Sequence, residues 1–114
     1  MTDRREIDFD RLFQALSDPY RRGFIAHLAR GPASVKELAE PAKVQMPAVL
    51  KHLRVLEESG IVVSEKVGRV RTYRMRPDAF APIRTWIAQR EAEMNAAFDR
   101  LAALMADVPE EKDH

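Results

Sequence analysis

Two groups of cations stand where a polyanion could meet them. Lys51 and Arg54 lie three residues apart in a stretch that reads as a helix, with Gln45, Met46, Pro47, Leu50 and His52 around them. Lys66, Arg69 and Arg71 crowd a short segment around Gly68 that reads as a hairpin. Clustered lysine and arginine neutralise phosphates, and either can donate to the acceptor edge of guanine. The charge along the chain follows the same division: residues 1–18 carry −2, residues 19–76 carry +7 and residues 77–114 carry −4, for a net +1. A basic middle between acidic ends points to a polyanionic partner; the plainer reading is a solvated surface with uneven charge.

Other chemistries lack their residues. The chain has no cysteine, which removes disulfides, thiolate metal sites, cysteine nucleophiles and thiol switches together. Its three histidines, His27, His52 and His114, fall on separate segments, whereas a transition metal needs convergent ligands. No Ser-His-Asp order, paired carboxylates or phosphate loop is visible, so the chain does not read as an enzyme, and no cofactor or metal is expected. Apolar runs such as Leu101 to Ala106 are far short of a membrane span, and the charged first ten residues hold no signal-peptide core. A cytoplasmic location with no membrane partner is the expectation.

The elements that would position the cations follow from periodicity and punctuation. The 114 residues suit a single domain. A first helix reads over 8–16, with Phe9, Leu12, Phe13 and Leu16 on one face. Ser17-Asp18-Pro19 stops it and starts a second, Asp18 as cap and Pro19 in the first turn. Tyr20, Phe24, Ile25 and Leu28 form the stripe of that helix, which ends at Gly31-Pro32. Ser34 to Glu37 is a capping box that opens a brief third helix, closed by Pro41. A fourth runs from about Gln45 to Ser59, with Val49, Leu53 and Leu56 facing the core and Gly60 as its stop.

The pattern then alternates over 61–67 and 70–75, a hairpin turning at Gly68-Arg69. Its outer side is expected to be dense in cations: Lys66, Arg69, Arg71, Arg74 and Arg76. A long last helix reads over 77–105, with an apolar face that includes Trp86, Met94, Phe98 and Leu101, followed by a frayed polar tail at 107–114. The fold class is mainly α with one β-hairpin: four helices, the hairpin and a fifth helix. Two short helices joined by a tight break (34–59), followed by a cationic hairpin (61–75), describe a winged helix-turn-helix.

At this point the chain resembles an ArsR-type (ArsR/SmtB superfamily) winged-helix transcriptional regulator. The resemblance rests on Leu16 to Arg22, Val35 to Ala39, Met46 to Val62, the hairpin Glu65 to Met75, and Trp86, and spans roughly residues 9–105. It implies a sequence-specific DNA-binding regulator, typically a homodimeric repressor on an inverted-repeat operator. It turns Gln45, Met46, Pro47, Leu50, Lys51, His52 and Arg54 toward the major groove, and makes Lys66, Arg69 and Arg71 the wing contacts. His52 matches a position with a helix-seating or phosphate-touching role. Leu50 stands where relatives commonly have serine; a thymine methyl and packing against the protein are both open to it.

Metal-sensing members carry a cysteine box around the positions of Val35 to Leu38, which is absent here, and the last helix has Glu91, Glu93 and Asp99 but no histidine. The resemblance leaves room for an effector, small molecule or protein, of unnamed chemistry. The helices at 8–16 and 77–105 are the expected dimerisation elements. Phe9, Phe13, Trp86, Met94, Phe98 and Leu101 are their interface candidates, because so long an apolar helix needs a partner, most simply its symmetry mate. The alternative function is a winged-helix interaction module that uses its last helix on a protein partner without specific DNA binding. The basic middle segment argues against it.

Overall fold

The computed structural model describes the backbone of residues 4–107 and the side chains of residues 9–107. The tail expected at 107–114 lies, beyond Asp107, outside the described residues, and His114 with it. The elements run α1 (Arg4–Leu16), α2 (Pro19–Leu28), β1 (Ala33–Ser34), α3 (Val35–Ala42), α4 (Met46–Glu58), β2 (Val62–Val67), β3 (Val70–Met75) and α5 (Ala81–Asp107). The described residues fall into two compact units, one ending at Ala81 and one beginning at Pro82. No described helix is long and apolar enough to cross a membrane.

The first unit is built around α4. Leu38, Val49, Leu53, Leu56, Ile61 and Val62 are its largest fully buried side chains, joined by Leu12, Ala15, Phe24 and Leu28 from the first two helices. Burial of each large aliphatic chain contributes about 1.5–3 kcal/mol. The end of α4 is locked by a Schellman motif. Gly60 has φ 81°, its N–H donates to the Glu57 carbonyl at 3.1 Å, and the Ile61 N–H donates to the Leu56 carbonyl at 3.0 Å. That turn delivers the chain directly into β2.

Three boundaries and one strand pairing differ from expectation. The first helix begins at Arg4, four residues before the Asp8 start set by apolar spacing. Helix α3 continues through Pro41 to Ala42 and is capped by Lys43, whose N–H still reaches the Ala39 carbonyl at 3.1 Å while its left-handed φ of 54° turns the chain out of the helix. The hairpin gains a third strand, because Ala33 and Ser34 pair antiparallel with Tyr73 and Thr72, giving the order β1-β3-β2. The last helix starts at Ala81, not Pro77. The Arg76 N–H donates to the Ile61 carbonyl at 2.9 Å and closes the hairpin base, and a residue before proline is disfavoured in helical geometry. Asp78, at φ 60°, then turns the chain before a helix can form.

The second unit is α5. Its large apolar side chains Trp86, Ile87, Met94, Phe98, Leu101, Leu104 and Met105 are exposed, with Phe98 at 60%. The Arg90 guanidinium lies 4.8 Å from the Trp86 ring centre and pairs with Glu93 at 3.1 Å.

Candidate nucleic-acid interface

Helix α4 presents two chemically different faces. Val49, Leu53 and Leu56 are wholly withdrawn from water. Met46, Pro47, Leu50, Lys51 and Arg54 are exposed on the remaining surface. Leu50 is 43% exposed, so part of its surface stays open to a partner. Gln45 occupies the N-cap position in extended geometry, but its side chain makes no capping bond. Pro47 in the first turn removes an N–H that no helical carbonyl would have accepted. The helix start is therefore held by α3 and the Lys43 turn, and α3 itself by its capping box. The Ser34 N–H donates to Glu37 Oε1 at 2.8 Å and the Glu37 N–H donates to Ser34 Oγ at 3.2 Å. The backbone N–H of Ser34, then its hydroxyl, hold the Glu37 carboxyl below its usual pKa, with His27 adding and desolvation opposing.

His52 sits on the flank of α4 and turns inward, its side chain only 17% exposed. Its Nδ1 lies 3.2 Å from Arg21 Nη1 and 3.9 Å from Asp18 Oδ1, and its ring stacks on Tyr20 with centres 5.8 Å apart. Arginine only donates, so in this contact Nδ1 is the acceptor. Asp18 in turn caps α2, accepting from the N–H groups of Tyr20 at 2.8 Å and Arg21 at 3.1 Å. Desolvation raises the Asp18 pKa. The Arg21 N–H, His52, the Tyr20 N–H and the Arg21 guanidinium outweigh it and hold the carboxyl below its ordinary value.

The same Arg21 donates from Nε to the Ala15 carbonyl at 2.8 Å and from Nη2 to the Gln14 carbonyl at 3.0 Å, while Arg22 donates to the Leu16 carbonyl at 2.7 Å. Arg21 and Arg22 thus close the orphan carbonyls at the end of α1. Through Arg21 and His52 that cap is joined to the flank of α4.

The wing divides its cations between two faces. Register pairs Val67 with Val70, so Gly68 and Arg69 form the two-residue turn, with Gly68 at φ 65°. Lys66 opposes Arg71 and Ser64 opposes Tyr73, and alternation puts all four on the face that also carries buried Val62. Arg74 lies on the opposite face, 3.6 Å from Glu65. The expectation of one outer side dense in cations is corrected accordingly. Opposed like charges at Lys66 and Arg71 are unfavourable unless an anion lies between or beside them.

Arg71 has an alternative anchor: its Nη1 donates to Ser64 Oγ at 2.8 Å, and that hydroxyl donates to Glu57 Oε2 of α4 at 2.9 Å. Burial pushes the Tyr73 hydroxyl pKa up, with Glu57 adding and Arg71 opposing. Lys51, Arg54, Lys66 and Arg69 are exposed and tied to no other described residue by hydrogen bond or ion pair.

The interface candidates on the terminal helices stand as follows. Phe9 is half-buried and Phe13 exposed, their rings in edge contact at 4.8 Å; on α5, Trp86, Met94, Phe98 and Leu101 are exposed.

Residues 16–65 match the model of a helix-turn-helix domain. The chain is 42% identical over 76 residues to the HTH-type transcriptional regulator Rv2034 of Mycobacterium tuberculosis, covering 67% of this chain and 71% of that protein. It is 33% identical over 72 residues to the HTH-type transcriptional repressor SmtB of M. tuberculosis, covering 63% of this chain and about half, 53%, of that one. Among solved structures, the ArsR family transcriptional regulator RHA00566 superposes with a TM-score of 0.75 at 38% identity, covering 83% of this chain and 97% of that one.

Proposed function

This chain belongs to the ArsR family of winged helix-turn-helix, DNA-binding transcriptional regulators, and we propose that it acts as a homodimeric repressor on an inverted-repeat operator. The observation that carries the reading is the division of α4: one face locked into the core, the other offering free Lys51 and Arg54 at groove-reading positions. In this reading the helix-turn-helix is 34–59 and the wing 61–75. Gln45, Met46, Pro47, Leu50, Lys51 and Arg54 approach the major groove, His52 seats the helix, and Arg69 and Lys66 approach phosphates. The helices expected at 8–16 and 77–105 join two copies, because α5 exposes Ile87, Met94, Phe98, Leu101 and Met105 at heptad-like spacing. No catalysis is assigned, and the cytoplasm, where the chromosome would be met, is the proposed location. The 114 residues carry no cysteine, so an effector acts on them without thiolate ligation or thiol oxidation.

Selection of random duplex DNA by the purified chain, followed by titration against salt, tests this. The expected result is an inverted repeat with half-sites about 34 Å apart, and a steep loss of affinity with salt. Absence of any enriched duplex from a stable dimer would instead support the interaction-module reading.

A further inference from the structure

The outward face of α4 is not only cationic. Met46 and Leu50, one helical turn apart, are 42% and 43% exposed, and they lie beside Lys51 and Arg54. Neither side chain can donate a hydrogen bond, and thioether sulfur is a weak acceptor, so neither can read a guanine or adenine edge. An exposed apolar pair contributes nothing to binding unless it meets apolar surface. On the floor of the major groove that surface is the C5-methyl group of thymine. A protein partner fits this patch less well, since cores of protein interfaces are depleted in lysine and Lys51 stands within the patch.

We propose that Met46 and Leu50 read thymine methyl groups, which rests on α4 being the DNA-reading helix. Four residues of helix rise about 6 Å, against about 3.4 Å per base step, so the two methyls lie roughly two steps apart when α4 follows the groove. Each half-site therefore carries a pair of thymines at that spacing, on one strand or across both. Leu50 sets one position and Met46, nearer the helix start, the other.

The test is a uracil scan of the duplex recovered by selection, binding the full chain. Uracil keeps every hydrogen-bonding group of thymine and deletes only the methyl. Substitution at one or two positions of each half-site should weaken binding about fourfold per methyl. The Leu50→Ala chain should lose that sensitivity at one position and Met46→Ala at the other. Replacement of every thymine with unchanged affinity overturns the proposal while leaving α4 as the reading helix. Full sensitivity retained in both variants also overturns it, because other side chains then read the methyls. Failure to recover any duplex removes both this proposal and the DNA reading beneath it.

Discussion

Helices α4 and α5 both leave large apolar side chains in water, yet they do so in different company. On α4, Met46 and Leu50 stand beside Lys51 and Arg54, over a face of Val49, Leu53 and Leu56 that is fully buried. On α5, Met94, Phe98, Leu101, Leu104 and Met105 follow one another in a stretch of mixed charge, where Glu91, Glu93 and Asp99 stand beside Arg90 and Arg100. Exposure alone therefore does not say what a surface is for. The neighbouring charge does: an apolar pair set among cations suits a polyanion that carries methyl groups, and a long stripe whose flanking charges nearly balance suits a second copy of itself.

The largest way to break this contrast is Phe98→Asp. A carboxylate in the middle of the α5 stripe should drop the mass in light scattering from twice 13.0 kDa to 13.0 kDa. It should also cost operator affinity about a hundredfold or more, because the two half-sites are then no longer bound as a linked pair. A dimer that persists with unchanged operator binding would remove α5 from the assembly.

Next in size are Lys51→Ala and Arg54→Ala. Each should weaken specific binding by about 1–3 kcal/mol in fluorescence titration while the mass stays that of the dimer. Equal losses on operator and random duplex would demote them from base readers to phosphate contacts.

The exposed face of α4 was legible because Val49, Leu53 and Leu56 recur at helical spacing and the rest of the helix is left over by subtraction. The Ser34 capping box and the Asp18 cap were legible too, since both depend on neighbours in sequence. Strand β1 was not: two residues carry no period, and their partners Thr72 and Tyr73 lie far along the chain. The start of α5 was misplaced because Pro77 suits a first helical turn, and only the left-handed Asp78 overrules it. The division of the wing cations could have been found. A two-residue turn at Gly68-Arg69 fixes the register, and alternation from there puts Lys66 and Arg71 together and Arg74 opposite. The role of Arg21 had no local signal, since it joins the end of α1 to His52, thirty-one residues away.

A smaller effect tests how far α4 depends on the Asp18–Arg21–His52 seat. Asp18→Ala should destabilise the fold by about 1 kcal/mol through loss of the α2 cap. Asp18→Asn keeps a capping oxygen but not the charge that faces Arg21 and His52. The folded pKa of Asp18 lies below its ordinary 3.8, so the charge contributes its stability in full above that value and loses it as pH falls through the lower, folded value. Urea midpoints should therefore converge for wild type and Asp18→Asn in strong acid and separate at neutral pH. An identical gap at both ends would show that the charge contributes nothing.

The smallest expected effect separates two cations of the wing. Arg69 stands free at the turn, whereas Arg71 is tied through Ser64 to Glu57 of α4. A cation that neutralises a phosphate releases a counterion, and log affinity then falls with log salt by about 0.9 per phosphate. Arg69→Ala should thus flatten the salt slope by about that amount. Arg71→Ala should leave the slope near that of wild type, because its charge is already answered within the protein, and lower affinity only through a looser wing. Ser64→Ala breaks the same chain without touching a charge, so it should give the same small loss, and the double variant should lose no more than either alone. A slope flattened equally by Arg69→Ala and Arg71→Ala would mean that Arg71 leaves Ser64 for a phosphate, and the DNA-facing surface would then run unbroken from α4 across both strands of the wing.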